Sequence, residues 1–550
     1  MGSTMPGLAA VVEGEAAARR RLIVFRAGLY ACLRRRADAL FELADGVLTR
    51  TGPAGSLVEL SEEKAFRRGH GALYDALACG DIDQEVLGDL LARSWEVADE
   101  GPLKIAVDVS PWPRPDAETS EGRCHAYASC HCDGARKTIP GWPYSFAAGL
   151  EWGATSWTAL LDAVRTGPQD SASTVTAAQV GRVHRRLAAA GLLAGRPAAV
   201  FVFDSGYDLT RIAYLTSHDG VPVQVLGRVR SDRVFYGPAP QRTYHRQGGA
   251  PRRHGARFAL AKPADLPVPD QQLEAGSARY GRVRVSAWHE LHQQLSRDGG
   301  WSGHAGELPV IPGTVIRLQV DHLPGNRTPS DLWLWHHAPP GTPFDLDLLW
   351  KAYLRRFDLE HTFRLIKGAL GWTTPQIRTP AQGERWTWLI LAAHTQLRLA
   401  RPLHQDLRRR WEKPIPPDRP LTPRRVHRGF PILRRHLGTP ASIPKPTTAG
   451  PGRPPGTTRP PRPRHPVGKK NTAPTRKKTE AGKKPANEST ATLNDLHGLN
   501  HKLRSPAGTR STGLPRMDSS SACTRPSPSS PMPSGRSASR STSLSARSWP

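Results

Sequence analysis

PAAVFVFD (197–204) is an apolar run with β-branched and aromatic residues at 200–203, and it ends on an acid. Ser205 and Gly206 follow as a turn, so the run reads as a buried strand that delivers Asp204 at its end. The preceding STVTAAQVGRVHRRLAAAGLLAG (173–195) spaces its apolar residues for a helix, and VPVQVLGRVR (221–230) supplies a further strand. Upstream, LKIAVDVS (103–110) and YSFAAGLEW (144–152) read as two more strands. Strands interleaved with helices predict an α/β layer architecture.

Outside this core the pattern changes twice. Residues 235 to about 340 are rich in Pro, Gly and Arg, with strand-like pieces RVRVSAW (282–288), TVIRLQV (314–320) and DLWLWHH (331–337), which predict a mostly β insertion. FDLDLLWKAYLRRFDLEHTFRLIKGAL (344–370) then predicts one long helix, and ERWTWLILAAHTQLRLAR (384–401) a second, mostly buried one. Residues 15–100 place apolar residues at three- and four-residue intervals among charges, as in ARRRLIVFRAGLYACLRRRADALFEL, and predict a helical unit. The expected division is 1–100 helical and DNA-binding, 101–234 first part of the catalytic core, 235–343 β-rich insertion, 344–435 second part of the core, and 436–550 a disordered basic tail.

The formal net charge of +29 points to a polyanionic partner, because each Lys or Arg on a phosphate releases a counterion. Residues 441–550 hold 20 Lys and Arg against 4 Asp and Glu, yet the remainder is still basic. No uninterrupted apolar run reaches membrane-spanning length, so double-stranded DNA is preferred over a membrane surface. LIVFRAGLYACL (22–33) is interrupted by Arg26 and reads as an amphipathic helix rather than a secretory signal. Six cysteines in 550 residues form no dense disulfide framework, and the expected location is the cytoplasm, with the nucleoid. Within CHAYASCHC (124–132) the spacing lacks the paired C-x2-C of common zinc sites. No P-loop and no G-x-S-x-G is present.

Three acids carry the chemistry. Asp108 lies inside an apolar strand, where a carboxylate needs an ion partner, a hydrogen bond or a metal. Asp204 ends a strand, the usual place for ligand-facing groups in an open α/β sheet. Glu360 is chosen by its helix. Tyr353, Arg356, Glu360 and Lys367 fall at roughly 0°, 300°, 340° and 320° around a helix axis, a stripe about 60° wide. Asp345, Asp347 and Asp358 lie off it. Arg228 and Arg230 leave a strand beside Asp204 and are candidate phosphate contacts.

Tyr353, Arg356, Glu360 and Lys367 together form Y-x2-R-x3-E-x6-K, which resembles the YREK signature of DDE insertion-sequence transposases with an RNase H-like core. More narrowly, IPGWPYSFAAGLEW (139–152) resembles strings in actinobacterial-type transposases, and the resemblance spans about 15–430. It implies an α/β fold in which an RNase H-like core is interrupted by the insertion, preceded by a helical domain and followed by the disordered tail. It also implies two Mg²⁺ ions, with Mn²⁺ as a substitute, held by Asp108, Asp204 and Glu360. Tyr353, Arg356 and Lys367 would grip the transposon end. The expected activity is cut-and-paste transposition: cleavage at terminal inverted repeats and strand transfer into target DNA by a homodimer. A Trp of the insertion would stack on a flipped base, with Trp288, Trp333 and Trp335 as candidates. The rival readings are another RNase H-like endonuclease and an inactive, domesticated DNA-binding protein.

Overall fold

The chain opens with helices α1 (Leu8–Ala31), α2 (Ala37–Thr49), α3 (Leu57–Ser61), α4 (His70–Cys79) and α5 (Gln84–Arg93); the short strands β1 (Leu33–Arg35) and β2 (Asp81–Ile82) pair between them. Asp83 starts α5 by accepting from the Val86 N–H, the side-chain cap that an exposed helix N-terminus needs. This computed structural model describes residues 8–468, apart from 53–54, 130–135, 154, 242–251, 324–327, 417–418, 447–453 and 459.

The sheet begins with β3 (Lys104–Pro113), β4 (Cys124–Ser129), the long β5 (Arg136–Leu150) and β6 (Thr158–Arg165). After α6 (Ala172–Ala189) come β7 (Val200–Phe203), α7 (Leu209–His218) and β8 (Gln224–Val229). A small hairpin of β9 (Val234–Tyr236) and β10 (Arg257–Ala259) leads to β11 (Gln271–Ser277), β12 (Gly281–Leu291), β13 (Gly313–Val320) and β14 (Leu332–His337). Helices α8 (Leu346–Arg355), α9 (Phe357–Gly368), α10 (Pro380–Ala400) and α11 (Pro423–Arg434) complete the described elements.

Ten strands form one mixed sheet in the order β11-β12-β13-β14-β8-β7-β3-β5-β4, with β6 also on β5. The centre, β3-β7-β8, is parallel, and every other pairing in this sheet is antiparallel. The α/β expectation therefore holds as a large mixed sheet. The strands expected as a β insertion are continuous with it: β14 pairs antiparallel with β8, and β13, β12 and β11 extend the sheet outward.

Side-chain alternation sorts the two faces. Phe201, Phe203, Val225, Ile105 and Val107 point into a core shared with α6 and α7. Val200, Val202 and Leu226 point the other way, against Leu349, Trp350 and Tyr353 of α8. A third core surrounds α10. Every side chain from Trp386 to Ala400 is buried, the polar His394, Gln396 and Arg398 included. Thr379 and Gln382 close its start with a reciprocal capping box, and Pro380 stands where no N–H is required. The opening helices α1, α2 and α4 pack on α10 rather than forming a core of their own.

Two expectations are corrected here. The stretch 344–370 is not one helix, because it breaks at Arg356 between α8 and α9. Neither Pro nor Gly stands there. The Leu359 N–H bonds the Arg356 carbonyl in a tightened turn. The break coincides with two consecutive arginines held by different partners: Arg355 donates to the carbonyls of Glu151, Gly153 and Thr155, and Arg356 to Asp108. The disorder expected from residue 436 also starts too early. Leu437 and Ala441 are buried, and Arg67 donates to the carbonyls of Ala441 and Ser442. Further on, the His465 and Gly468 N–H groups bond the carbonyls of Glu118 and Arg123. Residues 469–550 lie outside the described residues.

Candidate active site

Strand register brings the candidate acids together. β3 and β7 run parallel with Val107 opposite Phe203, so Asp108 and Asp204 each follow a paired residue on neighbouring strands. Phe203 is in turn opposite Gly227 of β8, and Arg228 comes next. Asp108, Asp204 and Arg228 thus form a row across three adjacent strands, with strand spacing of about 4.8 Å. Asp108 shares parity with Ala106, and Arg228 with Leu226, so the row faces α8 and α9.

The helical stripe meets this row. Arg356 Nη1 donates to Asp108 Oδ2 at 2.8 Å, and its Nη2 stands 3.7 Å from Asp204 Oδ2. The Tyr353 hydroxyl donates to Asp204 Oδ1 at 3.5 Å, a long contact. Asp108 also accepts from the Val109 N–H at 2.8 Å. Burial pushes the Asp108 carboxyl up to about 6; Arg356 opposes the rise, while Glu360 and Asp204 add to it. Burial likewise pushes Tyr353 up to about 12. Arg356 is raised despite its burial, because Asp108 and Asp204 hold its proton. Burial lowers Lys367, with Glu360 and Asp108 acting the other way. Tyr353 and Arg356 thus contact the strand acids directly, while Glu360 and Lys367 couple to Asp108 through their charge.

The donor set is chemically suited to a hard divalent cation: carboxylate oxygens whose like charges already disfavour ionisation of Asp108. Asp204 is partly exposed, with 39% of its side chain accessible, against 15% for Asp108. Among the described residues, no three His, Cys, Asp or Glu converge closely enough to hold one ion. The guanidinium of Arg356 occupies the place between the two strand acids instead. The residues fit the charge and ligand chemistry of a divalent-ion site, in an arrangement closed around an internal cation.

The remaining candidates separate. Arg228 lies close enough to Tyr353 for its charge to favour the ionised phenol. Arg230 is exposed and 3.4 Å from Asp232, away from the row. The three tryptophans offered for base stacking are all core residues: Trp288, Trp333 and Trp335 are 5%, 2% and 0% exposed. Trp288 packs against Phe258 and Trp333, and its indole donates to the Pro267 carbonyl. Their β-strand parity turns them onto the core face, so none presents a ring for a base. Cys124 is a buried free thiol, while Cys130, His131 and Cys132 lie outside the described residues. Tyr207 went unrecognised in the sequence. Its hydroxyl is buried near Asp108, and burial raises it well above the usual phenol value. A Tyr three residues past a strand acid carries no signal of that placement.

Two acids on adjacent parallel strands are thus faced by Tyr353 of α8, Arg356 at the break, and Glu360 and Lys367 of α9. Residues 28–294, a little under half of the sequence, match the DDE superfamily endonucleases. The match includes Asp108 and Asp204 and ends before the stripe. That match marks the chain as an enzyme acting on DNA phosphodiester bonds, and nucleases of this superfamily depend on divalent metal. A cryo-EM structure of the piggyBac transposase synaptic complex with hairpin DNA aligns with 74% of each chain, at a TM-score of 0.36 and 7% identity. No curated protein matches the sequence. Among the described residues, no helix is long and apolar enough to cross a membrane.

Proposed function

We propose that the chain is a cut-and-paste DNA transposase whose catalytic residues are Asp108, Asp204 and Glu360. The strand order β6-β5-β3-β7-β8, with α6 entering β7 and α7 entering β8, supports an RNase H-like core. The observation that carries the reading is the adjacency of Asp108 and Asp204 in the β3-β7 register, faced by the helix that bears Glu360. Two Mg²⁺ ions, replaceable by Mn²⁺, would supply Lewis-acid activation of water or a DNA 3′-hydroxyl and stabilise the leaving oxygen.

The chain's own groups do the rest. Asp204, the more exposed acid, meets the substrate side, while Asp108 is held from behind by the Val109 N–H. Tyr353 fixes the Asp204 carboxylate through its hydroxyl. Arg228, Arg356 and Lys367 neutralise phosphates around the scissile bond, and Arg230 meets the backbone further out. A homodimer working on paired terminal repeats would bring two such sites to one strand-transfer event.

The test is cleavage of DNA carrying the repeats that flank the gene, with and without Mg²⁺ or Mn²⁺. Metal-dependent nicking at the repeat ends, joining to a target duplex, and loss of both in Asp204→Ala are expected. An Asp204→Ala protein that cuts as well as wild type refutes the assignment. Nicking without joining would favour an endonuclease that does not transpose.

A further inference from the structure

Arg356 is turned inward, onto the two acids that the proposed function assigns to divalent ions. Its guanidinium supplies one positive charge to two carboxylates, at 2.8 Å from Asp108 and 3.7 Å from Asp204. In doing so it engages oxygen lone pairs that an ion bound by the same acids needs. The fit is incomplete, since the Arg356 Nε is buried without a hydrogen-bond acceptor. The residue also sits at the interruption between α8 and α9, where the regular helix ladder is already broken. Re-aiming this side chain therefore requires unwinding neither helix.

We propose that Arg356 is an internal counter-cation that competes with divalent ions for Asp108 and Asp204, so that ion binding and release of the guanidinium are one event. The inference rests on reading the two acids as ion ligands. Released, the guanidinium is a phosphate-binding group beside the reaction centre, with the forked donors that suit a phosphodiester. The coupling is reciprocal: a DNA phosphate that draws Arg356 outward raises ion affinity, and bound ions raise affinity for that phosphate. Free protein would then hold its ions weakly, and the loaded site would assemble on DNA.

Calorimetric titration of the full-length, DNA-free protein with Mn²⁺ tests this without reference to activity. Arg356→Gln is expected to bind Mn²⁺ about tenfold tighter than wild type, because the competing charge is gone. Arg356→Lys keeps a charge but lacks the fork that spans both acids, and is expected in between. Equal or weaker binding by Arg356→Gln overturns the competition. Should that variant fail to fold, Arg356→Lys decides, and an affinity no higher than wild type's overturns it equally. If neither wild type nor variants bind Mn²⁺ while all remain folded, the reading of the acids as ion ligands fails and the competition falls with it. Ion binding by wild type with no gain in the variants refutes the competition alone.

Discussion

Replacing Asp108 by asparagine is expected to stabilise the metal-free fold, although the residue stands at the centre of the proposed chemistry. The side chain is 15% exposed, and burial with the nearby acids raises its carboxyl from an ordinary 3.8 to about 6, net of the Arg356 contact. A folded-state value above the unfolded one means that ionised Asp108 opposes folding. The penalty is absent below the unfolded value, grows as pH rises towards 6, and is constant above. A shift of about two units at about 1.4 kcal/mol per unit gives ~3 kcal/mol at pH 8. Asparagine keeps the shape, and its amide oxygen still accepts from the Val109 N–H. For a fold of this size the gain corresponds to about 3 °C in melting temperature. Thermal unfolding in EDTA at pH 8 and pH 4 is the assay, with the advantage confined to pH 8. Adding Mg²⁺ should narrow it, since wild type gains ion-binding energy that the variant cannot match. An Asp108→Asn protein that melts at or below wild type at pH 8 in EDTA refutes the electrostatic reasoning.

Acid stability and salt dependence offer two further checks. His336 and His394 are buried and pushed down to about 3 by desolvation, and neither ring nitrogen of His394 has a partner. Both stay neutral in the fold while the unfolded chain takes up protons below about 6.5, so stability is lost as pH falls. His394→Leu is expected to reduce the loss between pH 6.5 and 4.5 by ~2–3 kcal/mol in denaturant titrations, and an unchanged pH slope counts against it. Ending the chain after Gly468 removes 15 Lys and Arg with 4 Asp and Glu but keeps the segment bonded to Glu118 and Arg123. Non-specific duplex binding should weaken, and the slope of log affinity against log salt should flatten by about 0.9 per lost phosphate contact, with the melting temperature unchanged. A slope equal to the full chain's would remove the tail from the interface.

The central strands were readable because the physics is local. Runs such as 197–204 and 103–110 are too apolar to be exposed and too short to be buried helices, and each carries one acid that burial makes conspicuous. Helical spacing drew Tyr353, Arg356, Glu360 and Lys367 onto one stripe of a single helix; the break at Arg356 divides that stripe between α8 and α9, and Tyr353 and Arg356 are the two that contact Asp204 and Asp108. What stayed hidden depends on partners distant in sequence. Pro140, Gly141 and Pro143 look like breakers, yet they lie within β5, where β3 and β4 hold the chain extended on either side. The strands after residue 270 gave no sign that they would join the same sheet, because pairing of β14 with β8 is a register choice across 100 residues. The break at Arg356 is equally silent in the sequence: it coincides with contacts to Asp108 of β3, to Asp204 just past β7 and to the carbonyls after β5. The tryptophans of β12 and β14 show the limit of composition: an aromatic near a nucleic-acid site is a ligand contact or a core residue according to strand parity.

The packing of α1, α2 and α4 onto α10 has a consequence for how this protein is made. Leu22, Phe25, Leu29, Leu40 and Leu43 have their burial completed by a helix translated roughly 350 residues later. At about 5–20 residues per second, the opening helices wait on the order of 20–70 s before that partner leaves the ribosome. Throughout that interval their apolar faces are a target for chaperones and for neighbouring nascent chains. A chain truncated before residue 380 lacks the helix that completes this burial, and its opening helices are expected to be cleaved readily in limited proteolysis where the full chain resists.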